Sequence, residues 1–335
     1  MFTNSLYSLF LSLFQMLRAL GLLALFAVAA ATALPLSSDY VLTPAGYQHS
    51  SCVHGVPAGS EVVRSDEGLT LIHPDGTIIR KDKCSYPTFN SMREVKQAAA
   101  AGGAVGGNRV LINDDGNVEE TANGWQAYTK QNAGNVTAYL GTFNIPAAPQ
   151  DYNGQTIFFF TGLQNIDWVP PQTRPSEGFD IIQPVAQYGP SSAGGGNYWT
   201  LSSWYVTLGT GTVWSPLIRI NANDTIFGNM TRTGPESWYI NSLDQTLNQK
   251  TDITVTKSLL TTQPWIYNTL EVYELSKCTH FPAAPNNVLN FRNLALYVSG
   301  QLTSANWQIG TDGQNPPLCS AVAKINSPVS VDIVF

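Results

Sequence analysis

The chain has 335 residues, of which 12% are charged and 43% hydrophobic, and it contains 28 Gly and 20 Pro. This balance is typical of β-strands joined by turns and argues against a fold of surface helices with many ion pairs. The formal net charge is -6. Because the chain has no basic stripe, it offers phosphate backbones no electrostatic footprint, and we do not expect nucleic acid as a partner.

The first 33 residues differ from the rest in composition. Arg18 is followed by an apolar stretch, and the segment closes with Ala31-Thr-Ala33. A basic residue, an apolar run and an A-x-A site predict a secretory signal over residues 1–33. A retained membrane anchor is the alternative, because Leu6–Met16 is also apolar and could lengthen the segment toward the roughly 20 residues of a span. With the signal removed, we expect a secreted monomer without a membrane partner.

Residues 34–100 contain short strand-like runs around a Pro74-Asp-Gly76 turn, which predicts a small β-hairpin unit. One or two helical turns are expected over Met92–Ala101. The small residues of the segment 101–122 are typical of a linker. The sequence therefore predicts that residues 34–100 form an N-terminal unit that is a pro-segment, with a permanent accessory domain as the alternative.

Residues 123–335 consist of short runs rich in β-branched and aromatic residues, separated by Gly, Pro, Asn and Asp. The predicted strands are Val136–Phe143, Thr156–Leu163, Asp180–Gln187, Tyr198–Leu208, Leu217–Ile220, Thr225–Met230, Trp238–Asn241, Asp252–Thr256, Thr269–Leu275, Phe291–Val298 and Val329–Phe335. No long helical pattern intervenes, and a parallel α/β architecture, which would need such helices, is therefore not expected. The pattern predicts an all-β, antiparallel two-sheet sandwich.

Cysteine usage agrees with a secreted chain. The four cysteines are Cys52, Cys84, Cys278 and Cys319. Three connectivities are formally possible, and we favour 52–84 with 278–319 because each closes a short loop within one segment. Metal binding is the weaker alternative, since no two cysteines have C-x-x-C spacing. Glycosylation is predicted at the sequons of Asn135, Asn223 and Asn229.

Several catalytic chemistries lack their residues. The four histidines are His49, His54, His73 and His280, so the predicted sandwich holds one of them. G-x-S-x-G and H-E-x-x-H are absent, which argues against serine-triad and zinc hydrolases. Gly194-Gly-Gly196 lacks the Lys-Ser/Thr of a phosphate loop and is interpreted as a turn. Carboxylates, amides and hydroxyls remain as candidate catalytic groups.

Two polar residues stand inside apolar strand patterns. Alternation along Asn268–Leu275 puts Glu271 and Tyr273 on one face and Glu274 on the other, although Glu271 could also be an exposed strand residue. Gln183 lies in an apolar run, and an amide buried there must find hydrogen-bond partners.

The order of these segments resembles the eqolisin family of glutamic peptidases, from about Gly124 to Leu275. Four stretches carry the resemblance: Leu140-Gly-Thr-Phe-Asn-Ile-Pro146, Phe159-Phe-Thr-Gly-Leu-Gln-Asn165, Ile181-Ile-Gln183 and Asn268-Thr-Leu-Glu271. The sequence departs from the family in having Gln164 where an acidic residue is usual, and Asn223-Asp in place of Gly-Asp. No cysteine flanks the Gln183 strand.

The resemblance implies a concanavalin A-like sandwich and a secreted acid endopeptidase acting on polypeptides. Gln183 and Glu271 would be the catalytic pair, with no metal or organic cofactor. The resemblance also leads us to expect substrate-binding roles for Phe160, Gln164, Tyr188, Trp204 and Tyr273.

Two other functions remain open. A carbohydrate-binding, lectin-like sandwich could present aromatic platforms built from Trp199, Trp204, Trp214, Trp238 and Trp265, although core packing also explains them. A catalytically inactive relative of the peptidases is the other. A glycoside hydrolase is disfavoured, because Glu271 and Glu274 are expected on opposite faces.

Overall fold

The structure is a computed structural model that describes residues 39–100, 121–175, 178–257, 262–310 and 317–335. The predicted signal over residues 1–33 lies outside the described residues, and so do residues 101–120 of the predicted linker. No helix in the described ranges is long and apolar enough to cross a membrane.

The described residues contain one α-helix, α1 (Met92–Ala100), and 22 strands. The strands are β1 (Tyr40–Thr43), β2 (Gly46–His49), β3 (Val53–Gly55), β4 (Ser60–Arg64), β5 (Gly68–Ile72), β6 (Ile78–Asp82), β7 (Ala122–Asn132), β8 (Val136–Asn144), β9 (Thr156–Gln164), β10 (Asp180–Ser191), β11 (Gly194–Thr207), β12 (Thr212–Trp214), β13 (Ile218–Arg219), β14 (Thr225–Arg232), β15 (Ser237–Asp244), β16 (Gln249–Lys257), β17 (Trp265–Leu275), β18 (Val288–Val298), β19 (Gln301–Thr303), β20 (Gln308–Gly310), β21 (Val322–Ser327) and β22 (Ser330–Val334).

Two packed sheets form a sandwich, which confirms the predicted fold class. The nine-stranded sheet has the order β20-β7-β17-β9-β10-β11-β12-β3, with β13 paired to β11. The eleven-stranded sheet has the order β21-β22-β18-β8-β14-β15-β16-β4-β5-β6, with β19 paired to β18. Neighbouring strands are antiparallel except for the pairs β3–β12 and β4–β16.

The main core lies between the two sheets, where alternate residues of each strand meet. Phe159 and Leu270 of the nine-stranded sheet pack there with Phe143 and Ile253 of the eleven-stranded sheet. Strand β9 is buried at every position. A strand reads as a continuous apolar run when both of its faces are covered, which accounts for the Thr-Ile-Phe-Phe-Phe sequence at its start.

A second apolar layer covers the other face of the nine-stranded sheet, which we call the outer face. The hairpin β1–β2, Phe89 and helix α1 pack there against side chains such as Phe160 and Tyr273. Val95 and Ala98 are the buried positions of α1. The N-terminal part of the chain therefore covers the centre of this sheet.

The rest of the N-terminal segment extends both sheets. Strand β3 pairs in parallel with β12, and β4 pairs in parallel with β16. The predicted hairpin exists as the meander β4–β5–β6, which is hydrogen-bonded into the eleven-stranded sheet. Val62, Leu69 and Leu71 belong to the core between the sheets. Strands β3–β6 are thus structural parts of the sandwich.

A buried ionic cluster fastens β4 to the sandwich. Asp180, at the start of β10, lies 3.3 Å from the Lys257 ammonium and 3.9 Å from the Arg64 guanidinium. The same carboxylate accepts hydrogen bonds from the Gln263 amide at 2.6 Å and the Tyr205 hydroxyl at 3.1 Å. Burial lowers the pKa of Lys257, and the attraction of Asp180 opposes this effect.

The two predicted disulfides are confirmed. Cys52 is bonded to Cys84, and Cys278 is bonded to Cys319. The first bridge closes the N-terminal segment on itself just after the β1–β2 hairpin. The second fastens the turn after β17 to the segment before β21.

Candidate active site

Strands β10 and β17 flank β9 and carry the two candidate catalytic residues. Odd-numbered side chains of β10 and of the central part of β17 point to the outer face, as Ile181, Val185 and Tyr267 show. Gln183 and Glu271 are also odd-numbered residues of these two strands. The structure therefore places both on one face of the sheet, with β9 between their strands.

A tightly packed cavity lies at this position, and the space left in it is too small for a water molecule. Gln183 and Glu271 both line it, together with the predicted Phe160 and Gln164. Neither Gln183 nor Glu271 has any exposed surface. The two candidates thus share one enclosed space in the described structure.

The cavity holds polar atoms without hydrogen-bond partners among the described residues. Both amide atoms of Gln183, both amide atoms of Gln164 and Oε2 of Glu271 are in this state. Each such group left unsatisfied in the interior costs about 1–3 kcal/mol. Concentrated unsatisfied groups in a native site call for an explanation such as water or a ligand. These atoms have the donors and acceptors needed to bind a water molecule and a carbonyl group, for which the closed arrangement leaves no room.

Glu271 is held by its neighbour two residues along the strand. The Tyr273 hydroxyl donates a hydrogen bond of 2.6 Å to Oε1 of Glu271. Burial raises the pKa of Glu271 to about 8, while the Tyr273 hydroxyl, the Ala45 backbone and the Trp125 side chain each lower it. This enclosed arrangement therefore favours the protonated form of Glu271.

The turn of the β1–β2 hairpin closes the cavity. Pro44 and Ala45 line it, opposite the sheet that carries Glu271. The following residue, Gly46, has φ of 104°, and a Cβ at this position would overlap the Phe89 carbonyl oxygen. The sequence did not predict that this turn covers the cavity, because Thr43-Pro-Ala-Gly46 indicates a turn without indicating what the turn contacts.

The remaining predicted substrate-binding residues do not line the cavity. Tyr273 contacts Glu271, and Trp204, next to Gln183 across the β10–β11 pair, is fully buried in the outer layer. Tyr188 lies on the opposite face, in the core between the sheets, and its hydroxyl donates to Asn197. Tyr188 is five residues from Gln183, and an odd separation along a strand changes the face.

Glu274 departs from the predicted alternation. It has φ of 55° and lies within an irregularity of the β17–β7 pairing between Val272 and Leu275. Its Oε1 accepts hydrogen bonds from the Tyr47 hydroxyl and the Met92 backbone, each at 3.3 Å. The expectation that Glu274 lies on the face opposite Glu271 and Tyr273 is therefore wrong. A β-bulge re-aims a side chain in this way.

Within the described ranges, no group of three His, Cys, Asp or Glu residues could hold a metal ion. Of the predicted glycosylation sites, Asn135 and Asn223 are exposed in turns and Asn229 is half-buried on β14. Whether they carry glycans stays a prediction.

Comparison with known proteins gives structural likenesses only. No family model matches the chain, and no curated protein matches it. A scytalido-glutamic peptidase solved with a transition state analog inhibitor is 16% identical, with a TM-score of 0.46, over 63% of this chain and 98% of that one. SCP-B, a member of the eqolisin family solved with the tripeptide Ala-Ile-His, is 14% identical, with a TM-score of 0.44 over the same shares. Aspergilloglutamic peptidase from Aspergillus niger is 13% identical, with a TM-score of 0.35, over 54% of this chain and 98% of that one.

Proposed function

We propose that this protein is a peptidase of the glutamic type, in which Glu271 and Gln183 hydrolyse a polypeptide with a bound water. One observation carries the proposal. A carboxyl group and an amide, from two strands that flank β9, enter one cavity with polar atoms left unpartnered. The motifs around both residues resemble those of the eqolisin family, which adds to this reading.

The chemistry follows from the two groups. The ionised Glu271 carboxylate removes a proton from water, and the hydroxide oxygen attacks the peptide carbonyl carbon. The Gln183 amide donates a hydrogen bond to the oxygen that becomes negative, a role typically worth roughly 10²–10³ in rate. Glu271 then returns the proton to the amine as the C–N bond breaks. Water and the peptide bond are consumed, and a carboxylic acid and an amine are formed.

The protonation state of Glu271 decides when this reaction can run. A hydrated Glu ionises near about pH 4.3, so a base of this kind works in acid. The enclosed Glu271 has a pKa raised to about 8 and holds its proton well above that pH. Activity in acid therefore requires that the carboxyl be exposed to water.

Two substitutions test the proposal in the intact chain. Glu271→Gln keeps the volume but removes the base, and Gln183→Ala removes the oxyanion donor without changing charge. We expect each to slow cleavage of an unfolded protein substrate between about pH 2 and 6 by at least about 10²-fold. Exposed residues provide matched controls, Glu236→Gln and Gln245→Ala, which should leave cleavage unchanged.

The assay is also run on chains that carry Gly46→Ala. A Cβ at position 46 would overlap the Phe89 carbonyl oxygen, and we expect this overlap to displace the hairpin turn from the cavity. Cleavage that survives both site substitutions would refute the catalytic pair. Absence of cleavage in every chain, with the cavity shown to be open, would refute the peptidase.

The lectin-like alternative gains no support from the tryptophans. Trp199, Trp204 and Trp238 are buried, and Trp214 and Trp265 are half-buried. An aromatic platform for a sugar ring needs an exposed ring face. Packing of the two layers accounts for these side chains.

We further propose that the mature protein acts outside the cell as a monomeric glycoprotein. The support is the signal-like composition of residues 1–33 and the two disulfides, which persist in oxidising compartments. N-terminal sequencing of protein recovered from the medium tests this, and an N-terminus at Met1 would contradict it.

A further inference from the structure

We infer that the β1–β2 hairpin is a built-in occupant of the Gln183–Glu271 cavity, and that displacement of this hairpin alone, with β3–β6 kept in the sandwich, opens the site. The inference rests on the proposed function, because displacing the hairpin regulates activity only if the cavity is the catalytic site. It narrows the predicted pro-segment of residues 34–100 to the β1–β2 hairpin, whose Pro44 and Ala45 line the cavity.

The contact between the hairpin and the cavity is direct. Pro44 and Ala45 line the same space as Gln183 and Glu271, and the Ala45 backbone lowers the pKa of Glu271. Ala45 itself has a backbone φ of 124°, which residues other than glycine rarely adopt. Strain of this kind persists only where its surroundings hold it, and it is concentrated at ligand clamps and switch regions. A polypeptide cannot reach Glu271 while this turn is in place, because Glu271 has no exposed surface.

The polar contacts that attach the hairpin lie mostly outside the two large sheets' ladders. Its two strands pair with each other and form a separate two-stranded sheet among the described residues. Tyr47 and Phe89 exchange two backbone hydrogen bonds, of 2.7 and 2.9 Å, and the Thr212 hydroxyl donates to Gln48 at 2.9 Å. The Ser192 N–H donates to the Leu42 carbonyl at 2.8 Å, and Gln48 donates to the Thr207 carbonyl at 3.2 Å. The Tyr47 hydroxyl donates to Glu274 at 3.3 Å. An isolated two-stranded hairpin is marginally stable, so the hairpin depends on these contacts and on its apolar packing.

Strands β3–β6 are attached much more firmly. Val62 and Leu71 are buried between the sheets, and Arg64 belongs to the Asp180 ionic cluster. Removing the whole N-terminal segment would expose this core, whereas displacing the hairpin exposes only the outer layer. The hairpin is itself largely buried, but its apolar residues pack in the outer layer, so its departure leaves the core between the sheets intact.

The disulfide 52–84 marks the boundary between the two parts. It fastens Cys52, three residues after the end of β2, to the chain beyond β6. The hairpin can therefore leave its place while the strands that follow remain bonded. Its departure would admit water to Glu271 and lower the pKa of that carboxyl toward its ordinary value, which supplies the base.

Hydroxyl-radical footprinting of the full chain tests the inference without relying on catalysis. In Gly46→Ala the new Cβ overlaps the Phe89 carbonyl oxygen, so the hydrogen bonds between Tyr47 and Phe89 cannot keep their geometry, and we expect the hairpin to be displaced. We expect a several-fold rise in oxidation of Trp125, which lines the cavity and is buried in the closed form. Trp238, in the core between the sheets, should stay protected and report an intact sandwich.

Gly76→Ala is the matched control. Gly76 has φ of 85° in the β5–β6 turn, and a Cβ there has nothing within 4 Å. It introduces the same kind of backbone strain without an overlap, so Trp125 should stay protected. If Gly46→Ala and Gly76→Ala give the same Trp125 oxidation, the inference is overturned.

A second variant covers the case in which Gly46→Ala unfolds the chain and Trp238 also reacts. Ala45→Trp places a large side chain where the cavity has no room even for a water molecule, and Ala45 does not belong to the core between the sheets. Trp125 oxidation must rise in this variant, and continued protection overturns the inference. Exposure of Trp125 without proteolysis would support the hairpin as occupant and refute the peptidase. Proteolysis with Trp125 still protected would support the peptidase and refute the hairpin as occupant.

Discussion

Replacing Glu271 by Gln should change how the stability of the closed protein depends on pH. The substitution is nearly isosteric with the protonated carboxyl, and the Gln amide oxygen can accept the Tyr273 hydrogen bond that Glu271 accepts at 2.6 Å. The variant therefore removes one titrating group and preserves the local packing. Any pH-dependent difference between the two proteins is then due to that proton.

The magnitude follows from the raised pKa. Burial moves the pKa of Glu271 from 4.5 to about 8. At about 1.4 kcal/mol per pKa unit this corresponds to an upper limit on the order of 5 kcal/mol. Below about pH 4 both the native and the unfolded states carry the proton, and Glu271 has no effect. As the pH rises from 4.5 toward 8, the unfolded chain releases the proton and the native one keeps it, so the wild type loses stability relative to the variant.

Urea unfolding at a series of pH values measures this difference. The free energy of unfolding of the wild type should fall relative to Glu271→Gln between pH 4.5 and 8, and the difference should be constant above that range. Glu236→Gln, at an exposed carboxyl, should run parallel to the wild type. Parallel curves for the wild type and Glu271→Gln would refute the burial of Glu271.

Three further results are expected. Asp180→Asn leaves two buried cations without their carboxylate and should destabilise the protein by roughly 3–5 kcal/mol in the same assay; a loss under 1 kcal/mol would contradict the ionic cluster. Tyr273→Phe removes a hydrogen bond that lowers the pKa of Glu271, so an NMR titration of that carboxyl should show a higher pKa than in the wild type, and an unchanged value would mean that the bond is absent. Non-reducing peptide mapping should recover the bridges 52–84 and 278–319, and a peptide linking 52 to 278 would contradict the fold of the N-terminal segment.

The sandwich was predictable because its strands follow simple rules. Each predicted strand between residues 123 and 335 overlaps an observed one, since β-branched and aromatic runs alternate with Gly, Pro and Asn turns. The common face of Gln183 and Glu271 follows from alternation and from two strands that flank a third. The disulfides followed from loop closure within each segment.

The parts that were not predictable depend on non-local pairing and on local irregularity. The parallel pairs β3–β12 and β4–β16 join residues that are far apart in the chain, and no short pattern encodes them. The direction of Glu274 depends on a bulge with a positive φ at a residue other than glycine. The closure of the cavity depends on the tertiary packing of Pro44 and Ala45, whose sequence indicates only a turn.

A double-mutant cycle on proteolysis tests the central claim, that Gln183 and Glu271 act on one water and one carbonyl. The value of kcat/KM is measured in the Gly46→Ala background for Gln183→Ala, Glu271→Gln and the two together. Residues that act as a unit have strongly non-additive effects. We expect the combined variant to be no slower than Glu271→Gln alone. The proposed site would be contradicted if the combined variant lost the product of the two single losses in kcat/KM. It would also be contradicted if the variants cleaved as fast as the Gly46→Ala background.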